Sequence, residues 1–360
     1  MTTNIKTLMF AFIISPVMMT TCIVAEPIPT IDEILDKYTQ TLDSTQSFIS
    51  EWEKSIVASS NVPELGLRYS NKTTYHKGTF RKDNKGYLYE QSYRWGYVSA
   101  SRPNAPEDEP AYVMQVIGDT FSYSHNRLLG TEYNGHLTYT EQGRPGWEGR
   151  GKDKGYCSYF DHYFMGCVFG IVRLDTILKN ADYISLSQQP VTLNDSVCYI
   201  VTADTKYGTY KVWFDSEHGY HPAKLQVLVD VGDDIGYPDN PHIITPEEGT
   251  RQRYTQDNVR FEKIDDIWVP MEADRTSHIT QDKPKIFASD KTHFKRTRFV
   301  LNPNHNALGS FTNPMENLTL DPELVNGTVV YWGDGSMCKW QDGQVVNDDG
   351  KVVYVASSAQ

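Results

Sequence analysis

Apolar side chains recur along this chain with two different periods, and the changes between them mark out its elements. From Thr30 onward Ile31, Ile34, Leu35, Tyr38 and Leu42 fall on one face of a predicted helix. Thr30 and Glu33 have the spacing of a capping box, and Pro29 stops the helix from extending backwards. The period then drops to two. Strands are predicted at Ser47–Ala58, Leu67–Arg81, Gly86–Ser99 and Tyr112–His125, separated by turn clusters such as Asp83-Asn84-Lys85-Gly86. From Arg127 to Gly155 neither period holds, and the stretch reads as a long surface loop.

Helical spacing returns from Phe169 to Ala181, with Ile171, Leu174, Ile177 and Leu178 as the apolar side. A second series of strands follows at Cys198–Thr205, Tyr207–Asp215, Ala223–Val231, Thr255–Ile264, Ile267–Arg275 and Thr292–Leu301. Gly232 to Gly249 is a Pro- and acid-rich loop, and Leu324–Gly350 holds short terminal hairpins at Gly-Asp-Gly and Asp-Asp-Gly turns. A parallel sheet would need a helix after nearly every strand. Two helices among so many strands therefore predict a mainly β, antiparallel fold with both helices lying on the sheet.

The first residues belong to another category. Lys6, an apolar run from Leu8 to Met19 and the small residues before Ala25 have the layout of a cleavable signal peptide, with Glu26 as the mature start. Met19-Thr20-Thr21-Cys22 lacks the Leu-Ala-Gly character of a lipoprotein signal, so a free protein is expected over one anchored at Cys22. No later stretch approaches the ~20 consecutive apolar residues of a membrane span. The net charge of −12 is spread along the chain. A nucleic-acid partner, which needs clustered Lys and Arg, is not expected. Beyond residue 25 the cysteines are Cys157, Cys167, Cys198 and Cys338. An exported chain permits two disulfides in three pairings, of which the close pair Cys157–Cys167 is preferred. A zinc site needs tighter spacing than these cysteines have.

The strongest local feature is the third strand, where Tyr87, Tyr89, Tyr93, Trp95 and Tyr97 share one face and only Gln91 interrupts them. A packed sheet face explains any one of these rings. Five are hard to pack tightly, and their hydroxyls want polar partners, so this face is a candidate lining for a roomy amphipathic cavity. Catalytic sets are weak by comparison. Asp161 and His162 lie near Cys157 and Cys167, but exported cysteines are more often bridged than nucleophilic. His218 and His221 straddle a Gly-Tyr turn with no third ligand at a compelling spacing, and Asp233, Asp234 and Asp239 do not have EF-hand spacing. No Gly-x-Ser-x-Gly, phosphate loop or dinucleotide fingerprint is present. Neither an enzyme nor a cofactor or metal is expected.

Three segments carry a resemblance. They are the opening helix with its Leu-Asp-Ser turn, Tyr207-Gly-Thr-Tyr-Lys-Val-Trp-Phe-Asp215 running into Gly219-Tyr-His-Pro222, and Ile264-Asp-Asp-Ile-Trp-Val-Pro270. From Ile31 to Leu301 the chain resembles exported proteins of the LolA-like superfamily, the lipoprotein carriers and RseB-like half-barrel proteins. The resemblance implies an unclosed antiparallel β half-barrel with two covering helices, whose apolar interior receives acyl chains. It divides the chain into a signal peptide at 1–25, a half-barrel domain at 26–301 and a C-terminal β extension at 302–360. The function it implies is an exported, periplasmic or envelope protein holding a lipid, acyl chain or lipoprotein in that cavity. An envelope sensor or scaffold that binds a peptide or protein through the same fold is the alternative.

For the exported protein, intact mass is expected to place the N-terminus at Glu26 with no lipid on Cys22. Non-reduced peptide mapping is expected to join Cys157 to Cys167, a closure that adds about 2–3 kcal/mol of stability when unstrained.

Overall fold

The computed structural model describes residues 28–62, 67–83, 87–95, 111–117, 121–127, 134–139, 173–233, 249–282, 286–311, 326–331 and 336–355. The leader region and the predicted Cys157–Cys167 bridge lie outside these residues. Helix α1 (Ile31–Asp43) begins as its sequence dictates: the Thr30 hydroxyl accepts from the Glu33 amide at 3.2 Å, and the Glu33 carboxylate accepts from the Thr30 amide at 2.7 Å. Strands β1 (Phe48–Val62), β2 (Leu67–Lys82), β3 (Tyr87–Trp95), β4 (Ala111–Ile117), β5 (Phe121–Arg127) and β6 (Asn134–Tyr139) follow as an antiparallel meander.

Helix α2 (Leu174–Lys179) opens the second half. The short strands β7 (Tyr183–Leu186) and β8 (Val191–Leu193) share one edge of β9 (Ser196–Thr205). Consecutive antiparallel pairing then runs through β10 (Gly208–Asp215), β11 (Pro222–Val229), β12 (Thr250–Ile264), β13 (Ile267–Gln281) and β14 (Ile286–Leu301). A terminal group comprises β15 (Val329–Tyr331), β16 (Met337–Gln341), β17 (Gln344–Asn347) and β18 (Val352–Val355).

The two meanders become one sheet because β1 pairs antiparallel with β14 on one side and β2 on the other. Beyond β6 the sheet continues through β15, in a parallel pairing, to β18. Among the described residues the two ends of this order, β7 with β8 and β18, do not pair with each other. The protein is therefore mainly β, a large antiparallel sheet not closed into a barrel, with two helices among the described residues.

Both helices lie on β9–β11. Ile34, Leu35, Tyr38 and Leu42 of α1 and Leu174, Ile177 and Leu178 of α2 pack with Val201, Tyr210, Val212, Phe214, Leu225 and Val227. The helices are also joined by charge: Arg173 Nη1 reaches Asp43 at 2.6 Å and Lys179 reaches Asp36 at 2.9 Å, while Arg173 Nη2 meets Asp175 of its own helix at 2.6 Å. A second apolar cluster occupies β1, β2 and β12–β14, built on Phe48, Trp52, Phe80, Val269, Phe294 and Phe299. In it Phe48 stacks on Phe299 at 5.0 Å and Trp52 on Phe294 at 5.5 Å.

His221 lies where the two clusters approach each other. Its ring is edge-on to Tyr38 at 6.2 Å and stacked with Phe261 at 5.7 Å, and its Nε2–H donates to the Trp268 carbonyl at 2.9 Å.

Several predicted strands change extent in the structure. The stretch expected as one strand, Tyr112–His125, is two strands paired with each other. The stretch taken for a loop contains β6, whose Asn-Gly-His-Leu-Thr-Tyr sequence has no strong period and is held between β5 and β15. Strand β12 starts at Thr250 rather than Thr255, because a polar run with little intrinsic preference is paired on both sides, by β11 and β13.

Burial pushes the His221 imidazole down to about 4, against the opposing bond to the Trp268 carbonyl and with help from the charges of Arg296 and His218. A histidine depressed in the fold and ordinary when unfolded adds stability that is present above pH ~6.5 and lost as pH falls toward 4. His76, pushed down to about 3 by burial and the Lys54 charge, acts in the same direction. Urea unfolding is expected to show a loss of about 2 kcal/mol between pH 7 and pH 5 from His221 alone. In His221→Gln the protein should be less stable at pH 7 but have a shallower dependence on pH.

Candidate functional site

The aromatic strand predicted from sequence is β3, in the interior of the sheet. Its register sets Tyr87 opposite Lys82, Tyr89 opposite Phe80, Tyr93 opposite His76 and Trp95 opposite Thr74. Residues directly opposed in an antiparallel pair lie on one face. Phe80 and Thr74 are 2% and 7% exposed, whereas Tyr75 between them in the alternation is 62% exposed. The backbone positions 87, 89, 93 and 95 are thus in register with the β2 positions that alternate with Phe80. Tyr97 lies outside the described residues, as do Cys157, Cys167, Asp161 and His162. Cys198 and Cys338 are buried free thiols, and burial beside Asp215 and Glu217 pushes Cys198 up to about 12.

The same face carries charge that the sequence reading missed. The alternation along β1 runs Phe48, Ser50, Trp52, Lys54, Ile56, with Glu53 and Val57 exposed on the other side. Lys54 stands opposite His76 on β2 and Phe294 on β14, and its ammonium lies 5.3 Å from the Trp52 ring centroid. Burial, with the Arg275 charge acting in the same sense, pushes Lys54 down to about 8. Arg275 lies over Tyr254 at 5.2 Å, and Arg296 lies over Phe299 at 4.6 Å while donating to the Pro270 carbonyl at 2.7 Å. Reading β1 strictly by twos would have exposed Lys54 as a cation on an otherwise aromatic face.

A separate polar cleft of about 560 Å³ lies beside the β10–β11 turn. Asp215, closing β10, accepts from the amides of Glu217 and His218 at 3.0 and 3.2 Å, and its second oxygen meets His218 Nδ1 at 2.8 Å. Gly219 and Tyr220 take positive φ, and the Thr41 hydroxyl of α1 donates to the Gly219 carbonyl at 2.8 Å. The Trp-Phe-Asp…Gly-Tyr-His-Pro motif is thus a turn held from within by one carboxylate and from outside by α1.

Ser196 Oγ lies 3.4 Å from the same His218 Nδ1 that faces Asp215. A Ser-His-Asp relay needs the serine on the other ring nitrogen. The His218 ring is further fixed by stacking on Phe261 at 4.8 Å and by Trp268 edge-on at 4.5 Å. Across the cleft His293 meets Asp274 at 2.8 Å and Glu272 at 3.7 Å, and Asn258 donates to Asp274 at 2.8 Å. Burial opposes ionisation of Asp274, but the bonds from Asn258 and His293 outweigh it and hold the carboxyl below its ordinary range. Among the described residues no group of three or more His, Cys, Asp or Glu side chains is arranged to hold a metal ion. The chemistry of the cleft is that of paired, mutually satisfied groups that fix a turn.

No known family profile matches the chain, and no curated protein does. Among solved structures, a DUF1329 family protein from Desulfovibrio piger is 12% identical, with 77% of this chain and 95% of that one covered, at a TM-score of 0.34. MucB in complex with MucA(peri) is 7% identical, with 77% and 95% covered, at 0.21. The ywiB protein from Bacillus subtilis is 3% identical, with 69% and 94% covered, at 0.18. Likenesses at TM-scores this low carry no argument about function or ligand.

Asp215→Ala removes the acceptor of two turn amides and the partner of His218. Leaving these donors unsatisfied is expected to cost about 2–3 kcal/mol, measurable by chemical denaturation. Ser196→Ala, at the edge of the same group, should cost well under half as much.

Proposed function

We propose that the chain is an exported, non-catalytic binding protein of the cell envelope that holds an acyl chain, free or on a lipid or lipoprotein, against the aromatic face of its open sheet. The observation that supports this reading is the β2–β3 register, which pairs the backbone positions of Tyr87, Tyr89, Tyr93 and Trp95 with Lys82, Phe80, His76 and Thr74 of β2. The leader-like pattern of residues 1–25 supports export. Among the described residues no helix is long and apolar enough to cross a membrane. An acyl chain gains about 0.8 kcal/mol for each methylene taken out of water, so affinity rises with chain length.

Titration of fluorescent fatty acids of increasing length tests the proposal, with circular dichroism as the folding control. Trp95→Ala is expected to weaken binding about tenfold, equivalent to about 1.4 kcal/mol. Tyr75→Ala, on the opposite face of β2, is expected to leave binding unchanged. Equal affinity in a folded Trp95→Ala variant, or no binding by the wild type at any length, would overturn the acyl reading in favour of an envelope protein or peptide partner.

A further inference from the structure

The polar cleft beside the β10–β11 turn carries acceptors that the fold itself does not use. His293 Nδ1 lies 2.8 Å from one oxygen of Asp274, whose other oxygen accepts from Asn258 at 2.8 Å. This pairing sets the hydrogen of a neutral imidazole on Nδ1 and leaves a lone pair on Nε2. That lone pair faces Glu272 Oε1 at 3.7 Å, acceptor against acceptor. The second Glu272 oxygen is 3.9 Å from Arg260 Nη1, on a side chain that is 77% exposed. Among the described residues no hydrogen bond reaches the Glu272 carboxylate, although its side chain is only 24% exposed. Lys295, opposite Glu272 in the β13–β14 ladder, makes no ion pair among the described residues. The other wall repeats the arrangement. His218 Nδ1 meets Asp215 at 2.8 Å, and no described residue donates to its Nε2.

We propose that this cleft binds an organic cation whose ammonium group sits between Glu272 and His293 Nε2. Two acceptors 3.7 Å apart are spaced for one nitrogen donating ~2.8 Å to each. Water can bridge them in the same way, but an ammonium also brings the close positive charge that Glu272 lacks, and charge-assisted bonds are the stronger class. Charge disfavours an anion, because the described lining residues set Asp215, Glu272 and Asp274 against Arg260 alone. The volume of about 560 Å³ suits a small organic molecule rather than a bare ion. Nothing in this site depends on the acyl-chain reading, which concerns a different part of the sheet.

NMR titration of the full-length exported protein tests it, following the His293 and His218 ring signals at pH 8, where an ordinary imidazole is neutral and an alkylammonium charged. Butylamine is expected to shift the His293 signals saturably and to bind at least about tenfold tighter than butanol or butyrate. Glu272→Gln, which keeps the shape and removes the charge, should weaken butylamine about tenfold, equivalent to about 1.4 kcal/mol. Asp182→Asn, an equal charge change at an exposed site toward the far end of β9 from Ser196, should leave it unchanged. Arg260→Gln, which removes the competing cation, should tighten it. Tighter binding of the peptide Gly-Lys-Gly than of butylamine would assign the cation to a basic side chain, and the reverse to a free amine; both keep the site. Equal binding of butylamine and butanol, an undiminished affinity in folded Glu272→Gln, or weaker binding in Arg260→Gln would overturn the proposal. So would ring-nitrogen shifts showing His293 doubly protonated at pH 8, since Glu272 would then have its counter-charge within the fold.

Discussion

Strand β1 is paired along almost its whole length on both sides. One ladder runs from Phe48 opposite Leu301 to Asn61 opposite Phe287, and the other from Phe48 opposite Lys82 to Val62 opposite Leu67. Each meander is internally local, since its strands pair with their neighbours in sequence. Among the described residues only β1 joins them, and in doing so it brings the beginning of the fold against the end of the long second meander. The loop-closure entropy of that pairing is large, which assigns it a late place in folding. The second apolar cluster exists because of it: Phe48 and Trp52 come from β1, Phe80 from β2, and Phe294 and Phe299 from β14.

The helices have a different task. Covering β9–β11, they supply the apolar partner that this part of the sheet needs, and the Arg173–Asp43 and Lys179–Asp36 ion pairs set one helix against the other. The helix-covered core meets the second cluster at the β10–β11 turn. There Asp215 fixes the turn, Thr41 ties it to α1, and His221 and His218 lay their rings against Phe261 of β12. The polar cleft beside it is a consequence of this joint, because the paired groups that hold a turn also leave hydrophilic walls.

The aromatic face and its cations follow from one geometrical fact. In a β-strand every second residue shares a side, so a run containing Trp52, Lys54 and Ile56 must put its lysine wherever it puts its tryptophan. Lys54, half-buried, therefore lies on the aromatic side of β1, its ammonium 5.3 Å from the Trp52 ring centroid.

Local chemistry was legible without the structure. Helix α1 and its cap are written within four residues, since a threonine hydroxyl and a glutamate carboxylate reach only nearby amides. The alternation of Tyr87, Tyr89, Tyr93 and Trp95 likewise needs only the period of a strand. Misread were β6, the break between β4 and β5, and the full length of β12, whose polar or aperiodic sequences become strands through their neighbours rather than through preference. The chain by itself determined which residues alternate, where α1 begins and that antiparallel strands dominate. Which strands are neighbours, and hence that β1 lies between β2 and β14, only the tertiary structure decided, because pairing across hundreds of residues is selected by the burial and hydrogen bonding of the whole sheet and leaves no mark in the local sequence of either strand.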